Sequence, residues 1–409
     1  MKILLATYWY LPHVGGVYNY MTQLSRYLES QGHHVDIMAH HPDMQKIWMM
    51  STGRFVEKAK VKDYVYEQVL GFYQTELPMV DPWIRWREIE RYTYEISAAL
   101  LGVNNYDLIH THDIVSTRAI ARVKPAHARH VATIHGVLAS EHLLSGQITS
   151  RDSLPFAYAA AEEYFGFTSA DRTIVPSRWV ADQVVAGFGV PADHLDHVPY
   201  GLDADYLEIQ SRKRTDPLPN QDIRSLTILC PARLVPVKGH QYLLEALPQI
   251  VAQHPVVVWL AGDGGYTEEL KRLVAHEGLE HVVRFLGARE DVAALMRKAD
   301  IVVLPSVQDA LPFSIMEAQI LGKPIVASRV GGIPEMIESG KTGILVAPGE
   351  AQELARALLQ LIGSSGLRLK LGQQAALWAK EAWSLERMLS RTMAIYEHVL
   401  GKTVSEVQS

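Results

Sequence analysis

The sequence predicts an α/β protein made of two doubly wound units. Three observations predict it. Short apolar runs alternate with amphipathic stretches, the pattern of strand–helix–strand units with parallel sheets. That pattern breaks once, over residues 211–222, and then restarts. The chain of 409 residues has room for two or three domains at roughly 150 residues each.

The elements follow in order. Lys2–Thr7 reads as a buried first strand. Val17–Gln31 reads as a helix, with Val17, Tyr20, Met21, Leu24, Tyr27 and Leu28 on one face. Gly32 ends it, because glycine accepts the left-handed conformation that closes helices. Val35–Ala39 is the next strand, and Leu108–His110, Val131–Ile134 and Arg172–Val175 are further ones. The segment Met44–Ile96 has no clear period. It carries Trp48, Trp83 and Trp86 near Arg85, Arg87 and Arg91, which suits an acceptor wall, a membrane-facing surface or packing. The stretch 211–222 is polar, charged and carries two prolines, as linkers do. Strands then return at Leu226–Cys230, Val256–Ala261, Val282–Leu286, Ile301–Leu304, Ile325–Ser328 and Ile344–Val346. The expected organisation is therefore a first unit over 1–210, a linker over 211–222 and a second unit over 223–385. A C-terminal helix and tail over 386–409 are expected to pack back toward the first unit. Two such units should face a central cleft, and ligands of open α/β sheets bind at the carboxyl ends of the strands.

Composition excludes several classes. Apolar residues make up 48% and charged residues 21%, so the chain can bury a sizeable core and disorder is not its main state. A net charge of −6, with 39 basic against 45 acidic residues, argues against a dedicated nucleic-acid binder. The one cysteine, Cys230, excludes an internal disulfide framework and fits a reducing compartment. No stretch reaches the ~18 to 20 apolar residues of a membrane span, and the short apolar start lacks a signal-peptide cleavage pattern. A cytoplasmic protein is expected, with a peripheral position at the inner membrane face as the second expectation. The sequence sets no oligomeric state.

The residues with chemical capacity sit just beyond strands. Gly15-Gly16, between the first strand and a helix, lets backbone N–H groups approach an anion; a tight turn is the alternative. His112 and His135-Gly136 also follow strands. Arg233 and Lys238 leave the first strand of the second unit together. Arginine can grip phosphate through paired N–H groups and lysine adds a point charge. After Ile301–Leu304 comes Asp309-Ala-Leu311-Pro312-Phe313-Ser314-Ile-Met-Glu317, with seven residues between the carboxylates. Ser314-x-x-Glu317 also spells a capping box, which predicts a helix start there. Gly331-Gly332-Ile333-Pro334-Glu335 permits another close backbone approach. Some patterns fail. Gly340-Lys341-Thr342 lacks the earlier glycine of a phosphate-binding loop, since Glu335 stands there. Asp203-Ala-Asp205 spells a metal-dependent D-x-D, yet no H-E-x-x-H or spaced Cys/His set accompanies it, and no metal site is expected.

Taken in order over nearly the whole chain, these features resemble the family 4 glycosyltransferases, the large retaining group with the two-domain GT-B fold of Rossmann-like halves. The resemblance rests on Gly15-Gly16, Thr133-x-His135-Gly136, Val175-Pro176-Ser177 and Pro199-Tyr200-Gly201-Leu202-Asp203. It continues through Arg233 to Lys238-Gly239, Ala261-Gly262-Asp263-Gly264, Asp309 to Glu317, and Gly331 to Glu335. Two positions depart. The family has glutamate at both ends of the two-carboxylate motif, where this chain has Asp309 first. Tyr200 stands where the family often has asparagine.

The resemblance implies transfer of a sugar from a nucleotide-sugar, UDP before GDP, to an acceptor hydroxyl, with the anomeric configuration kept and no cofactor or metal required. It implies donor binding by Gly15, Gly16, Arg233, Lys238, Asp309, Leu311, Pro312, Phe313, Ser314 and Glu317. Catalytic roles fall to His135, Arg233, Lys238 and Asp309, and acceptor contact to His112. Glu317 would accept from ribose hydroxyls and Asp309 from hydroxyls of the transferred sugar. The partners implied are the donor and a sugar, lipid-linked or small-molecule acceptor, in glycan, glycolipid or glycoconjugate synthesis. Two readings stay open beside it: a nucleotide-sugar epimerase on the same fold, and a catalytically silent nucleotide-sugar binder.

Overall fold

The computed structural model describes residues 1–12, 15–215 and 225–401. The chain divides into two compact units. The first comprises Met1–Pro199 with the chain from Leu389 on, and the second comprises Tyr200–Met388.

The first unit is built on an eight-stranded sheet. Its strands are β1 (Lys2–Tyr10), β2 (His34–His40), β3 (Lys46–Met49), β4 (Phe55–Glu57), β5 (Leu108–Thr111), β6 (Arg129–Thr133), β7 (Arg172–Val175) and β8 (Leu195–His197). The order is β4-β3-β2-β1-β5-β6-β7-β8. From β2 to β8 the pairing is parallel, and β3 and β4 add an antiparallel edge. The helix Gly16–Ser30 follows β1 and buries Tyr20, Met21, Leu24 and Leu28, the face expected from its period. Gly32, at φ 79°, lies just past its end. The unreadable segment turns out to hold β3, β4 and the helices Lys58–Glu76 and Pro82–Leu101. Its arginines serve the fold: Arg87 pairs with Glu162, and Arg91 with Glu88 and Glu95, all buried. Buried charges at Arg87, Glu88, Glu90, Arg91 and Glu95 are what hid the apolar stripe of Pro82–Leu101.

The second unit has six strands, all parallel: β9 (Leu226–Pro231), β10 (Val256–Ala261), β11 (Val283–Gly287), β12 (Ile301–Leu304), β13 (Ile325–Ser328) and β14 (Ile344–Val346). The order is β11-β10-β9-β12-β13-β14. β10, β12 and β13 are buried at every position, as strands covered on both faces must be. The core joins Ile228, Cys230, Val258, Leu260, Ile301 and Val303 to Leu243, Leu247, Leu358 and Leu361 from flanking helices.

The division falls earlier than the expected boundary at 210. The helix Ala204–Ser211 belongs to the second unit, where Arg297 donates to Glu208 at 2.9 Å. Gly201 explains part of this: a Cβ there would lie 2.5 Å from the Leu385 backbone, so the two segments are in close contact. The expected linker 211–222 thus starts on a helical residue inside the second unit, and its part from Asp216 on lies outside the described residues. The expected start of the C-terminal segment at 386 also shifts, because the first unit resumes at Leu389.

Candidate functional site

In each sheet the strand order reverses once about a central pair, at β1/β5 and at β9/β12. The loops leaving these pairs diverge and leave a crevice at the strand ends. The residues singled out in the sequence fall at these two places.

In the first unit, Gly15 and Gly16 stand at the start of the helix after β1. Gly15 has an extended backbone and provides no side-chain cap. Asp113, which drew no notice in the sequence, ties β1 to β5. It accepts from Tyr8 N at 2.6 Å and Thr7 Oγ1 at 2.9 Å, and caps the helix Ile114–Val123 through Ser116 N at 2.7 Å. The signal was present, an aspartate between strand and helix, but the flanking histidines masked it.

Those histidines form a stack. The rings of His112 and His135 lie 5.8 Å apart at 18°, and His110 and His112 lie 4.3 Å apart. Tyr20 meets His112 and His135 edge-on. His110 is fully engaged, with Nε2 2.7 Å from Thr133 Oγ1 and Nδ1 2.7 Å from Tyr396 OH. His112, expected to contact the acceptor, is 1% exposed, and among the described residues neither ring nitrogen has a hydrogen-bond partner. It therefore backs His135, which is partly exposed. Burial pushes all three imidazoles down, His135 to about 3 and the other two well below the ordinary value. They are neutral at physiological pH.

In the second unit, β9 runs into a loop ending in the 3₁₀ turn Pro236–Lys238 and Gly239. Gly239 has φ 68°, and a Cβ there would lie 1.9 Å from Pro305 O. Only glycine lets this loop lie against the end of β12. Val307 N donates to Val237 O at 2.8 Å and completes the contact. Lys238 Nζ donates to Asp309 Oδ2 at 2.6 Å, with both side chains mostly buried. Ser306 Oγ is 3.3 Å from the same oxygen. Behind Asp309, Gly332 N donates to its carbonyl at 3.0 Å, and Gly331 packs so closely that a Cβ would lie 1.7 Å from that oxygen. The two glycine motifs thus hold one lysine and one aspartate in a fixed pair.

Arg233 is exposed, and among the described residues its guanidinium has no partner. Leu311 and Pro312 are buried and lead into the helix Phe313–Ile320. The expected capping box does not form. Pro312 takes the cap position, Ser314 falls inside the first turn, and no side chain caps the helix. Ile315 N bonds back to Pro312 O at 3.1 Å, and among the described residues the N–H groups of Phe313 and Ser314 are left for another acceptor. Phe313 stacks on Tyr200 at 4.7 Å. The Glu317 carboxyl makes no hydrogen bond or ion pair with a described residue, and burial pushes it up to about 7. Among the described residues no group of three or more His, Cys, Asp or Glu is placed to hold a metal ion, and no helix is long and apolar enough to cross a membrane.

Among the described residues, the second unit therefore presents a free guanidinium, a paired ammonium, an uncapped helix start and an unpartnered carboxyl around one pair of strand ends. Such a set suits an anion with a hydroxylated group beside it.

Comparisons with known proteins point the same way. A model described as Glycosyltransferase Family 4 matches residues 14–206, and one described as Glycosyl transferases group 1 matches residues 225–364. An uncharacterised glycosyltransferase of Methanocaldococcus jannaschii is 26% identical over 97% of this chain and 98% of its own. A D-inositol 3-phosphate glycosyltransferase of Corynebacterium jeikeium is 29% identical over 88% of this chain and 86% of its own. Among solved structures, sucrose-phosphate synthase of Thermosynechococcus elongatus superposes with a TM-score of 0.72 at 19% identity, covering 98% of this chain and 100% of that one. HepE of Anabaena, solved with UDP and glucose, gives 0.66 at 20% identity, covering 97% and 99%.

Proposed function

From the premise that the chain belongs to the family 4 glycosyltransferases of the GT-B fold, we propose that it transfers a hexose from a UDP-sugar to an acceptor hydroxyl, keeping the anomeric configuration and using no metal ion. The observation that carries this reading is the cationic end of β9/β12: Arg233 exposed without a partner among the described residues, and Lys238 held on Asp309.

The bond between the sugar and the diphosphate must break. Negative charge then grows on the leaving phosphate and positive charge on the sugar ring. Fixed cations and backbone dipoles aimed at the growing charge lower that barrier. Arg233 and Lys238 are assigned this role, with the uncapped first turn of Phe313–Ile320 and the buried Leu311-Pro312 approach shaping the diphosphate seat. Glu317 accepts from the ribose hydroxyls, and Asp309 from hydroxyls of the transferred sugar. In the first unit, Gly15 and Gly16 offer backbone N–H groups to the donor. His135 lines the sugar as a neutral hydrogen-bonding ring, and His112 supports it from behind. A uracil base is supported by the HepE structures solved with UDP and UDP-glucose. The relatives act on different acceptors, among them inositol phosphate and malate by their names, so the acceptor class is left to experiment.

The test is a panel of UDP- and GDP-sugars, assayed for donor hydrolysis and for nucleotide-induced thermal stabilisation. Stabilisation and hydrolysis with one UDP-sugar are expected. Stabilisation by GDP alone would replace the base, and no response to any nucleotide would remove the reading.

A further inference from the structure

Glu163 lies in the middle of the helix Leu154–Thr168, fully buried. Nothing in the sequence singles it out. Its Oε1 accepts from Ala139 N at 2.7 Å, while among the described residues Oε2 has no hydrogen-bond partner. Leu138 and Ala139 are the first two residues of the helix Leu138–Leu144. That helix has Val137 at its cap position, and valine has no side-chain acceptor to offer. The N–H groups of a helix start need an acceptor when buried. Glu163 supplies it from a remote helix, 24 positions further along the chain.

The place being held matters. His135 and Gly136 lie directly before Val137, after the end of β6. On the strand side, Ile134 N donates to Ile174 O at 3.0 Å. On the helix side, the Glu163 contact fixes Ala139, the second residue of the helix. The His135–Gly136 turn spans the short gap between these two anchors. Glu141 folds back over it, its Oε1 only 3.2 Å from where a Gly136 Cβ would be.

We propose that Glu163 is a positioning residue, which sets the His135 ring by capping the helix that follows it. This rests on the transferase reading above for the kinetic part of its consequences and on geometry alone for the rest.

The chemistry suits the task. Burial, with Glu162 and Glu141 nearby, pushes the Glu163 carboxyl up to about 8. The group is therefore mainly protonated at neutral pH. It accepts the Ala139 N–H through its carbonyl oxygen without placing a full negative charge beside the turn. Glutamine has the same shape and the same carbonyl acceptor, so it should serve as well. Threonine at 137 would keep the valine shape and add a local cap hydroxyl.

The experiment uses the full chain labelled with ¹³C-histidine. Wild type, Glu163→Ala, Glu163→Gln and the double variant Glu163→Ala/Val137→Thr are compared. The ring signal of His135, assigned by its loss in His135→Gln, reads ring placement without any turnover. Hydrolysis of UDP-glucose gives kcat and KM, and UDP-induced thermal stabilisation reports the donor site. In Glu163→Ala the His135 signal should move, and kcat should fall by about tenfold or more, as small misplacements near a reacting centre can cost. KM and the response to UDP should hold. Glu163→Gln and the double variant should restore both signal and kcat. A Glu163→Ala protein that melts lower yet keeps the wild-type ring signal overturns the proposal. If that variant does not fold, Glu163→Gln decides: a folded protein with a displaced ring overturns it, and a wild-type ring with wild-type kcat supports it. Wild type that hydrolyses no UDP-sugar and ignores UDP would count against the transferase reading, while the ring signal would still judge the positioning role.

Discussion

Lys238 and Asp309, 71 positions apart in the chain, meet at 2.6 Å between Nζ and Oδ2. They come from the loops after β9 and β12, the two strands at the reversal of the second sheet. The pair orients the ammonium and satisfies the carboxylate in one contact. A lysine held this way has less rotamer freedom to lose when an anion arrives.

Lys238→Ala removes one preorganised donor and leaves Asp309 without its cation. We expect kcat to fall about 10²- to 10³-fold, the usual loss for one such donor. Steady-state nucleotide release checks it, and near-normal turnover in a folded variant would remove Lys238 from the mechanism.

Arg233 is exposed and free of partners among the described residues, so its loss should not disturb the fold. Arg233→Ala should melt as wild type does. Its turnover should still drop by about 10²-fold or more. Arg233→Lys should recover only part, because one point charge does not replace paired N–H groups. A melting curve beside a rate assay separates the two effects.

Glu317 titrates near 7 because burial disfavours its charged form. Only the carboxylate accepts from two ribose hydroxyls, so UDP affinity should rise as pH goes from 6 to 8. One proton bounds the gain at about tenfold. The stability effect has the opposite sign. A folded value above the unfolded one favours the fold at low pH, and that share is lost as pH rises from about 4.5 toward 7. Calorimetric titration with UDP at several pH values tests the first claim, and a flat profile in Glu317→Gln should accompany it.

The buried histidines act in the other direction. Their folded values lie below the unfolded value of 6.5, so their share of stability is present above 6.5 and is lost as pH falls toward 3. The melting temperature should drop steadily over that window. His112→Phe, which keeps a ring but removes the unpartnered nitrogens, should make the drop shallower. An unchanged slope would place the acid sensitivity elsewhere.

Gly331 has φ 58°, and a Cβ there would lie 1.7 Å from the Asp309 carbonyl. Gly331→Ala must shift that backbone, at a cost on the order of 1–3 kcal/mol. Activity should fall further than the folded fraction does, since the shift moves Asp309 and its lysine. Thermal melts and single-turnover rates on the same sample compare the two.

The sequence specified the strands of the second unit nearly residue for residue, because a parallel sheet covered on both faces needs unbroken apolar runs. It also determined which loops carry the glycines, since left-handed and close-packed backbone leaves few other choices. It failed on β3 and β4, which are only 4 and 3 residues long, and on Pro82–Leu101, where the buried charges of Arg87, Glu88, Glu90, Arg91 and Glu95 interrupt the apolar stripe. It also placed a cap at Ser314, where Pro312 starts the helix instead. Tertiary structure alone decided the pairing of Lys238 with Asp309, the stacking of His110, His112 and His135, and the reach of Glu163 to Ala139. Apart from the neighbouring His110 and His112, these contacts join residues 23 to 71 positions apart across separate elements. Local propensity has no term for such distances; the order of strands in the folded sheets creates them.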